Sequence, residues 1–260
     1  MPSTAADSGR RPVEPGRPPV FIADRASLER DLVTLSGLEG RHAATVRRLR
    51  PGARADLVDG AGLIAECEVV GSASGALELT VLSRRVEPQP EPRICVVQAL
   101  PKGERGELAV ETMTEVGVDV IVPWAAERCV AVWTAAGGKA ERGAARWRRT
   151  AQEASKQSRR ARFPEVTPLA QAQDALGRVR AAARAVVLDP VAELSLAALP
   201  LPAAGEIVLV VGPEGGLSPA ETEAFAAAGA VGAHLGPTVL RSSTAGTAAA
   251  AVLLSRCGRW

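Results

Sequence analysis

A small β-domain followed by a larger parallel α/β sheet is the architecture this sequence predicts, and three observations carry it. Residues 55–82 hold short apolar runs with Gly-bearing turns between them, the pattern of a small β-barrel. Residues 94–258 alternate β-branched runs with segments of helical period, the pattern of a doubly wound parallel sheet. Between them, VEPQPEPR (86–93) sets Pro88, Pro90 and Pro92 so close that neither a helix nor a central strand can pass through.

The elements follow in chain order. Residues 1–18 are rich in Pro and charge and are expected to be disordered, because they bury too little apolar surface to offset chain entropy. Their arginines have no apolar stretch behind them, so they are not a secretory signal. The first domain, 19–86, is built on ADLVDG (55–60), LIAECEVV (63–70) and ALELTVL (76–82). The second, 93–260, opens with the buried strand ICVVQAL (94–100). ERGELAVETMTEVGV (104–118) is a helix with Leu108, Thr112 or Met113, and Val116 on one stripe. DVIVPW (119–124) is a strand and KAERGAARWRRTAQEASKQS (139–158) a long helix. AVVLD (185–189) and EIVLVVG (206–212) are strands. SPAETEAFAAAG (218–229) is a helix, AVGAHLG (230–236) a short strand, and STAGTAAAAVLLSRCG (243–258) the final helix. Ser243 or Thr244 is expected to cap that helix. Its small residues keep it slim, so it packs in the core or against a second subunit.

Composition excludes several classes. Apolar residues make up 47% of the chain, enough for a sizeable core, and no apolar run reaches the roughly 18 residues that span a bilayer. Cys67, Cys95, Cys129 and Cys257 stand far apart, without a C-x-x-C pair, so neither a metal site nor a disulfide framework is expected. Four reduced thiols point to the cytoplasm. His42 and His234 are the only histidines, which leaves little room for a His-based triad.

The net charge of +2 is uninformative, but its distribution is not. From Arg142 to Arg162 the chain carries Arg146, Arg148, Arg149, Lys156, Arg159 and Arg160 against one acid, Glu153. This is either a footprint for polyanions or a solvated helix face. Arg41, Arg47, Arg48 and Arg50 form a second, weaker cluster.

The run VLVVGPEGGLSPAETEAF (208–225) carries the chemistry. An apolar strand enters Gly212, Pro213, Glu214, Gly215 and Gly216, and Ser218-Pro219-Ala220-Glu221 then opens a helix as a capping box with Pro at its first position. In open α/β sheets ligands bind beyond the carboxyl ends of strands, and glycines there let backbone approach a ligand. No Lys follows, so this is not a P-loop, and the first strand ends in ALPKGERGE, not G-x-G-x-x-G. Glu214 would repel a pyrophosphate; a ligand with hydroxyls or a cation suits it better. HLGPTVLRSSTAGTAAAAVLL (234–254) repeats the design of strand, Gly-Pro bend, polar run and helix.

GPEGGLSP-E followed by LGPTVLRSSTA resembles the C-terminal signature of the RsmE family, the 16S ribosomal RNA (uracil-N3)-methyltransferases of the SPOUT superfamily. LEGRHAATVRRLRPGARADLVDGAG (38–62) resembles that family's PUA-like RNA-binding barrel. KGERGELAVETMTEVGV (102–118), PWAAERCV (123–130) and RWRRTAQEASKQSRRARFPEV (146–166) resemble its central motifs in order. The family commonly has Arg-Thr-Glu-Thr-Ala where this chain has Arg241-Ser242-Ser243-Thr244-Ala245, so no role of that Glu carries over. This departure supports the alternative of a non-catalytic RNA-binding protein on a methyltransferase-like scaffold.

The resemblance implies a C-terminal trefoil knot holding S-adenosylmethionine, a homodimer, and the small ribosomal subunit as partner, with neither metal nor membrane involved. It implies one cofactor wall from Gly212 to Leu217 and another from Leu235, Gly236 and Leu240 to Ala245, with Leu188 beside them. It also implies direct methyl transfer to uracil N3, which must lose its proton. Arg25, Lys102, Arg128 and Arg241 are candidate cations for the resulting anion, and Glu115 is a candidate base. Arg47, Arg48, Arg146, Arg149, Lys156, Arg159 and Arg160 are the expected RNA contacts.

Overall fold

The computed structural model describes residues 17–73, 75–134 and 136–260, and two sheets divide them. The first holds β1 (Val20–Ile22), β2 (Leu32–Leu35), β3 (Arg54–Val58), β4 (Leu63–Ala73) and β5 (Ala76–Val86) in the order β1-β3-β4-β5-β2. β1 runs parallel to β3 and the other pairs are antiparallel. All five strands, with the short helix α1 (Arg25–Leu28), close on one core of Phe21, Leu28, Val33, Leu35, Leu57, Leu77 and Leu79. The helix α2 (Gly37–Arg41) leads from β2 into a π-helical turn, His42–Val46. The expected disorder of residues 1–16 lies outside the described residues. Arg17 and Pro18 are held, their carbonyls accepting from the Arg159 guanidinium.

The second sheet contains β6 (Arg93–Ala99), β7 (Val120–Trp124), β8 (Glu165–Val166), β9 (Arg184–Leu188), β10 (Glu206–Val211) and β11 (Val231–Ala233), all parallel, in the order β11-β9-β10-β6-β7-β8. β6 and β10 are apolar at nearly every position because both faces are covered. Ile94, Val96, Ile207 and Leu209 face α3 (Arg105–Val116), α4 (Lys139–Gln157) and α7 (Ser242–Arg256). Cys95, Val97, Val208 and Val210 face α5 (Ala172–Ala181) and α6 (Pro219–Ala227).

Two sequence expectations change here. The buried stripe of α3 is Ala109, Val110, Met113 and Thr114, while Leu108 is 45% exposed. Ala109 and Val110 are apolar too, so period alone does not select the face; packing against α7 and the sheet does. α7 begins at Ser242 with Arg241 as its N-cap, and neither Ser243 nor Thr244 caps it. Instead the Thr244 hydroxyl donates to the Arg241 carbonyl at 3.2 Å.

The basic segment at the end of α4 is largely a seam between the two sheets. Lys156 Nζ lies 2.7 Å from Glu39 Oε1 with its side chain only 9% exposed. Arg162 Nε donates to the Glu87 carbonyl at 2.8 Å, and Gly62 N donates to the Ala161 carbonyl. Ala161 packs with Val58 and Ile64. Arg160 donates to the carbonyls of Thr114 and Val118, and burial draws it down to about 10, so it stays charged at neutral pH.

Asp119, between α3 and β7, takes a two-pronged contact from Arg259 at 2.7 and 3.0 Å and accepts from Ile94 N at 2.7 Å. Replacing Asp119 by Ala leaves Arg259 and Arg160 half-buried without their carboxylate; urea unfolding should register a loss of about 3–5 kcal/mol. Burial raises Cys67 to about 11 and pushes Cys95 higher still. The thiolate is the nucleophile, so at pH 8 each unit of rise cuts reactivity about tenfold. A maleimide reagent should therefore label Cys129 and Cys257, which are partly exposed, well before Cys67 and Cys95, whose labelling awaits unfolding.

Candidate active-site cleft

A cleft of about 520 Å³ opens at the carboxyl ends of β9, β10 and β11, where an open α/β sheet binds its ligands. Val187, Leu188 and Asp189 floor it from β9, and Val211 from β10. The glycine loop forms one wall with Gly212, Pro213, Glu214, Gly216 and Leu217. The segment after β11 forms the other with Leu235, Gly236, Thr238, Val239 and Leu240, and the start of α7 closes it with Arg241, Ser242 and Ala245.

Local sequence explains why these walls stand. Gly216 sits at φ +70, a left-handed conformation that disfavours side chains. The Ser218 hydroxyl accepts from Glu221 N while Glu221 Oε2 accepts from Ser218 N, the reciprocal box that pins the start of α6. Glu221 Oε1 also accepts from Glu127 N at 2.7 Å, which ties the box to the loop after β7.

Glu214 joins three segments. Its Oε1 accepts from the Ser242 hydroxyl at 3.1 Å and Lys102 N at 3.4 Å, and stands 3.9 Å from Arg105 Nη1. The carboxylate expected to meet a ligand thus fastens the glycine loop to α7 and to the β6–α3 turn.

Several expected site residues lie elsewhere. Arg128 Nη1 donates to the carbonyls of Gly215 and Leu217 at 3.2 and 3.1 Å. It braces the glycine loop and is absent from the cleft lining, as are Lys102 and Gly215, the latter seated against the Arg128 side chain. Arg25, in α1 beside the first sheet, is paired with Asp59 and Glu29. Glu115 is exposed and borders a separate groove between α3 and α4. Ser243 is 3% exposed and, like Thr244, lies off the lining. Arg105 and His234 line the cleft and were missed. KGER lies over a hundred residues from the glycine loop, so no local pattern joins them. The His234 imidazole Nδ1 lies 3.0 Å from the Ala192 carbonyl; that carbonyl only accepts, so Nδ1 carries the proton.

A parallel sheet with a glycine-walled cleft at its strand ends, preceded by a small β-domain, defines the class. Residues 87–254 match the RNA methyltransferase domain family and residues 35–82 the RNA methyltransferase PUA domain family. Ribosomal RNA small subunit methyltransferase E of Mycobacterium bovis is 44% identical over 245 residues, covering 93% of each chain. The Bacillus subtilis protein of the same name is 29% identical over 82% of this chain and 85% of its own. The crystal structure of that enzyme from Neisseria gonorrhoeae, bound to S-adenosyl methionine, superposes with a TM-score of 0.81 at 27% identity, covering 92% of this chain and 98% of its own. The chain belongs to the ribosomal RNA small subunit methyltransferase E family, also written RsmE.

If Arg128 braces the loop, Arg128→Ala frees two carbonyls. Amide hydrogen exchange across 212–217 should then quicken at least tenfold, with a change in global stability of only about 1–2 kcal/mol.

Proposed function

We propose that this protein methylates N3 of a uracil in the 16S ribosomal RNA of the small subunit, with S-adenosylmethionine as methyl donor. The observation that carries this reading is the pair of backbone walls, 212–217 and 235–241, facing each other across one cleft and tied by Glu214 and Ser242.

The residues fit such a cofactor. Leu188, Leu217, Leu235 and Leu240 offer apolar faces to a purine. Gly236 has no atom within 4 Å of where a Cβ would stand, so backbone is exposed to a guest. S-adenosylmethionine supplies a sulfonium methyl: the methyl–sulfur bond breaks, the N3–methyl bond forms, and the N3 proton leaves to water. The chain's residues orient the base, keep bulk water from the cleft and stabilise the anion that deprotonation creates.

We further propose a PUA-like unit over 19–86 and a SPOUT-type unit over 93–260 knotted near its C-terminus. The path supports the knot: from β11 at the sheet's edge, the chain returns to set α7 against the central strands β6 and β10. Arg256 of that helix donates to the Leu196 carbonyl in the β9–β10 connection. A homodimer in the cytoplasm completes the proposal; no helix among the described residues is long and apolar enough to cross a membrane. The missing carboxylate at 243 is weak support for a non-catalytic protein, because Ser243 lies off the cleft wall.

The RNA-facing charge is smaller than the basic run suggests. Lys156, Arg159 and Arg160 serve the fold, and Arg146 pairs with Glu107 at 2.6 Å. Arg47, Arg48 and Arg149 are exposed with no ion-pair partner among the described residues.

Calorimetry should detect one S-adenosylmethionine site per chain, and Gly236→Val should weaken it at least tenfold, about 1.4 kcal/mol, with the melting temperature unchanged. Undetectable binding by the unmodified protein would sink the reading. Ribosomal RNA from a deletion strain, mapped by mass, should lack one methyl-uridine. Log affinity for RNA should fall against log salt with a slope near −2, as about three neutralised phosphates require.

A further inference from the structure

Methyl transfer to an imide nitrogen needs a cation beside the reacting base, because N3 becomes nucleophilic only as its proton leaves. Among the candidate cations, Arg25 of α1 is paired with Asp59, Arg128 is committed to two loop carbonyls, and Lys102 lies off the cleft lining. Two arginines line the cleft, Arg105 and Arg241. They are held very differently. Arg241 is the N-cap of α7, is exposed, and has no side-chain partner among the described residues. Arg105 stands 3.9 Å from Glu214, whose same oxygen is bonded to Ser242 and to Lys102 N.

We infer that Arg105 is the catalytic cation that stabilises the deprotonated uracil, which rests on the methyl-transfer reading above. Three features support it. First, Arg105 opens α3, where the helix dipole favours anions, so the helix end and the guanidinium favour the same charge on the base. Second, the Glu214 carboxylate limits where the Arg105 guanidinium goes, although that side chain is 43% exposed, whereas Arg241 has no such partner among the described residues; a charge placed before reaction stabilises a developing anion with less reorganisation. Third, the 3.9 Å contact with Glu214 is longer than a hydrogen bond, which leaves the guanidinium N–H donors for a base carbonyl. Glu214 is then a positioning residue. It sets Arg105 relative to both cleft walls, because it also holds α7 through Ser242. The N3 proton passes to water, and the charge left over N3 and its flanking carbonyls faces the guanidinium. Arg241, untethered, is left to contact the RNA backbone.

The test follows single-turnover methylation of unmethylated small ribosomal subunits across pH, together with calorimetry of S-adenosylmethionine. Arg105→Ala should lower the rate at neutral pH roughly 100-fold. The deficit should shrink as pH rises, because hydroxide then generates the anion unaided. Cofactor affinity should stay within about threefold. Arg105→Lys should keep its rising limb near that of the unmodified protein, and Arg241→Ala should slow turnover without displacing the limb. Should Arg105→Ala fail to fold, Arg105→Gln takes its place. A deficit equal at every pH, a matching loss of cofactor affinity, or a displaced limb in Arg241→Ala would each overturn the assignment. Failure of the unmodified protein to bind S-adenosylmethionine would instead strike the methyl-transfer reading itself.

Discussion

The cleft depends on one carboxylate. Glu214 sits in a glycine-rich loop, and it reaches across to Ser242 and to the backbone of Lys102. A loop flexible enough to bring bare backbone against a ligand would wander without such a tie, because glycine loses the most conformational freedom on ordering. Arg128 braces the same loop by its carbonyls, and Glu221 pins the helix that follows. Backbone access and rigidity are thus supplied by different residues, and the carboxylates and arginine around the loop are its scaffold.

Positive charge is handled in the same way. The run from Arg142 to Arg162 reads as a nucleic-acid footprint, yet much of it is directed inward. Lys156 finds Glu39, Arg159 donates to the Arg17 and Pro18 carbonyls, and Arg160 joins Asp119 and two carbonyls at the end of α3. The Lys156 and Arg159 contacts fix how the small β-domain sits on the larger sheet, while those of Arg160 stay within the larger one. In a family that acts on RNA, that placement aligns any surface on the first domain with the cleft on the second. A cation that positions a domain serves RNA recognition without touching RNA.

Much of this was legible in the sequence, for local reasons. The strands from β3 onward that are five residues or longer declare themselves by apolar runs, and the capping box at Ser218 fixes the start of α6 in four residues. The glycine-rich bends mark both walls of the cleft. β1, β2 and β8 are too short for any period to register. α5 is preceded by Gln171, whose capping box with Asp174 uses a residue seldom read as a cap. The face of α3 departs from the expected stripe because Ala109 and Val110, beside Leu108, are apolar as well and are the ones buried.

Sequence alone determined the order of the longer strands and of helices α3, α4, α6 and α7, the break at Pro88–Pro92, and which bends could bring backbone to a ligand. These follow from backbone sterics and short-range periodicity, which act within a few residues. Only the tertiary structure decided what each charged group does. Glu214 and Ser242 are 28 residues apart, Glu214 and Lys102 are 112, and Lys156 and Glu39 are 117. A charge acts on whatever lies within a few ångströms of it, and that neighbourhood exists only once the sheet order β11-β9-β10-β6-β7-β8 has folded distant segments together.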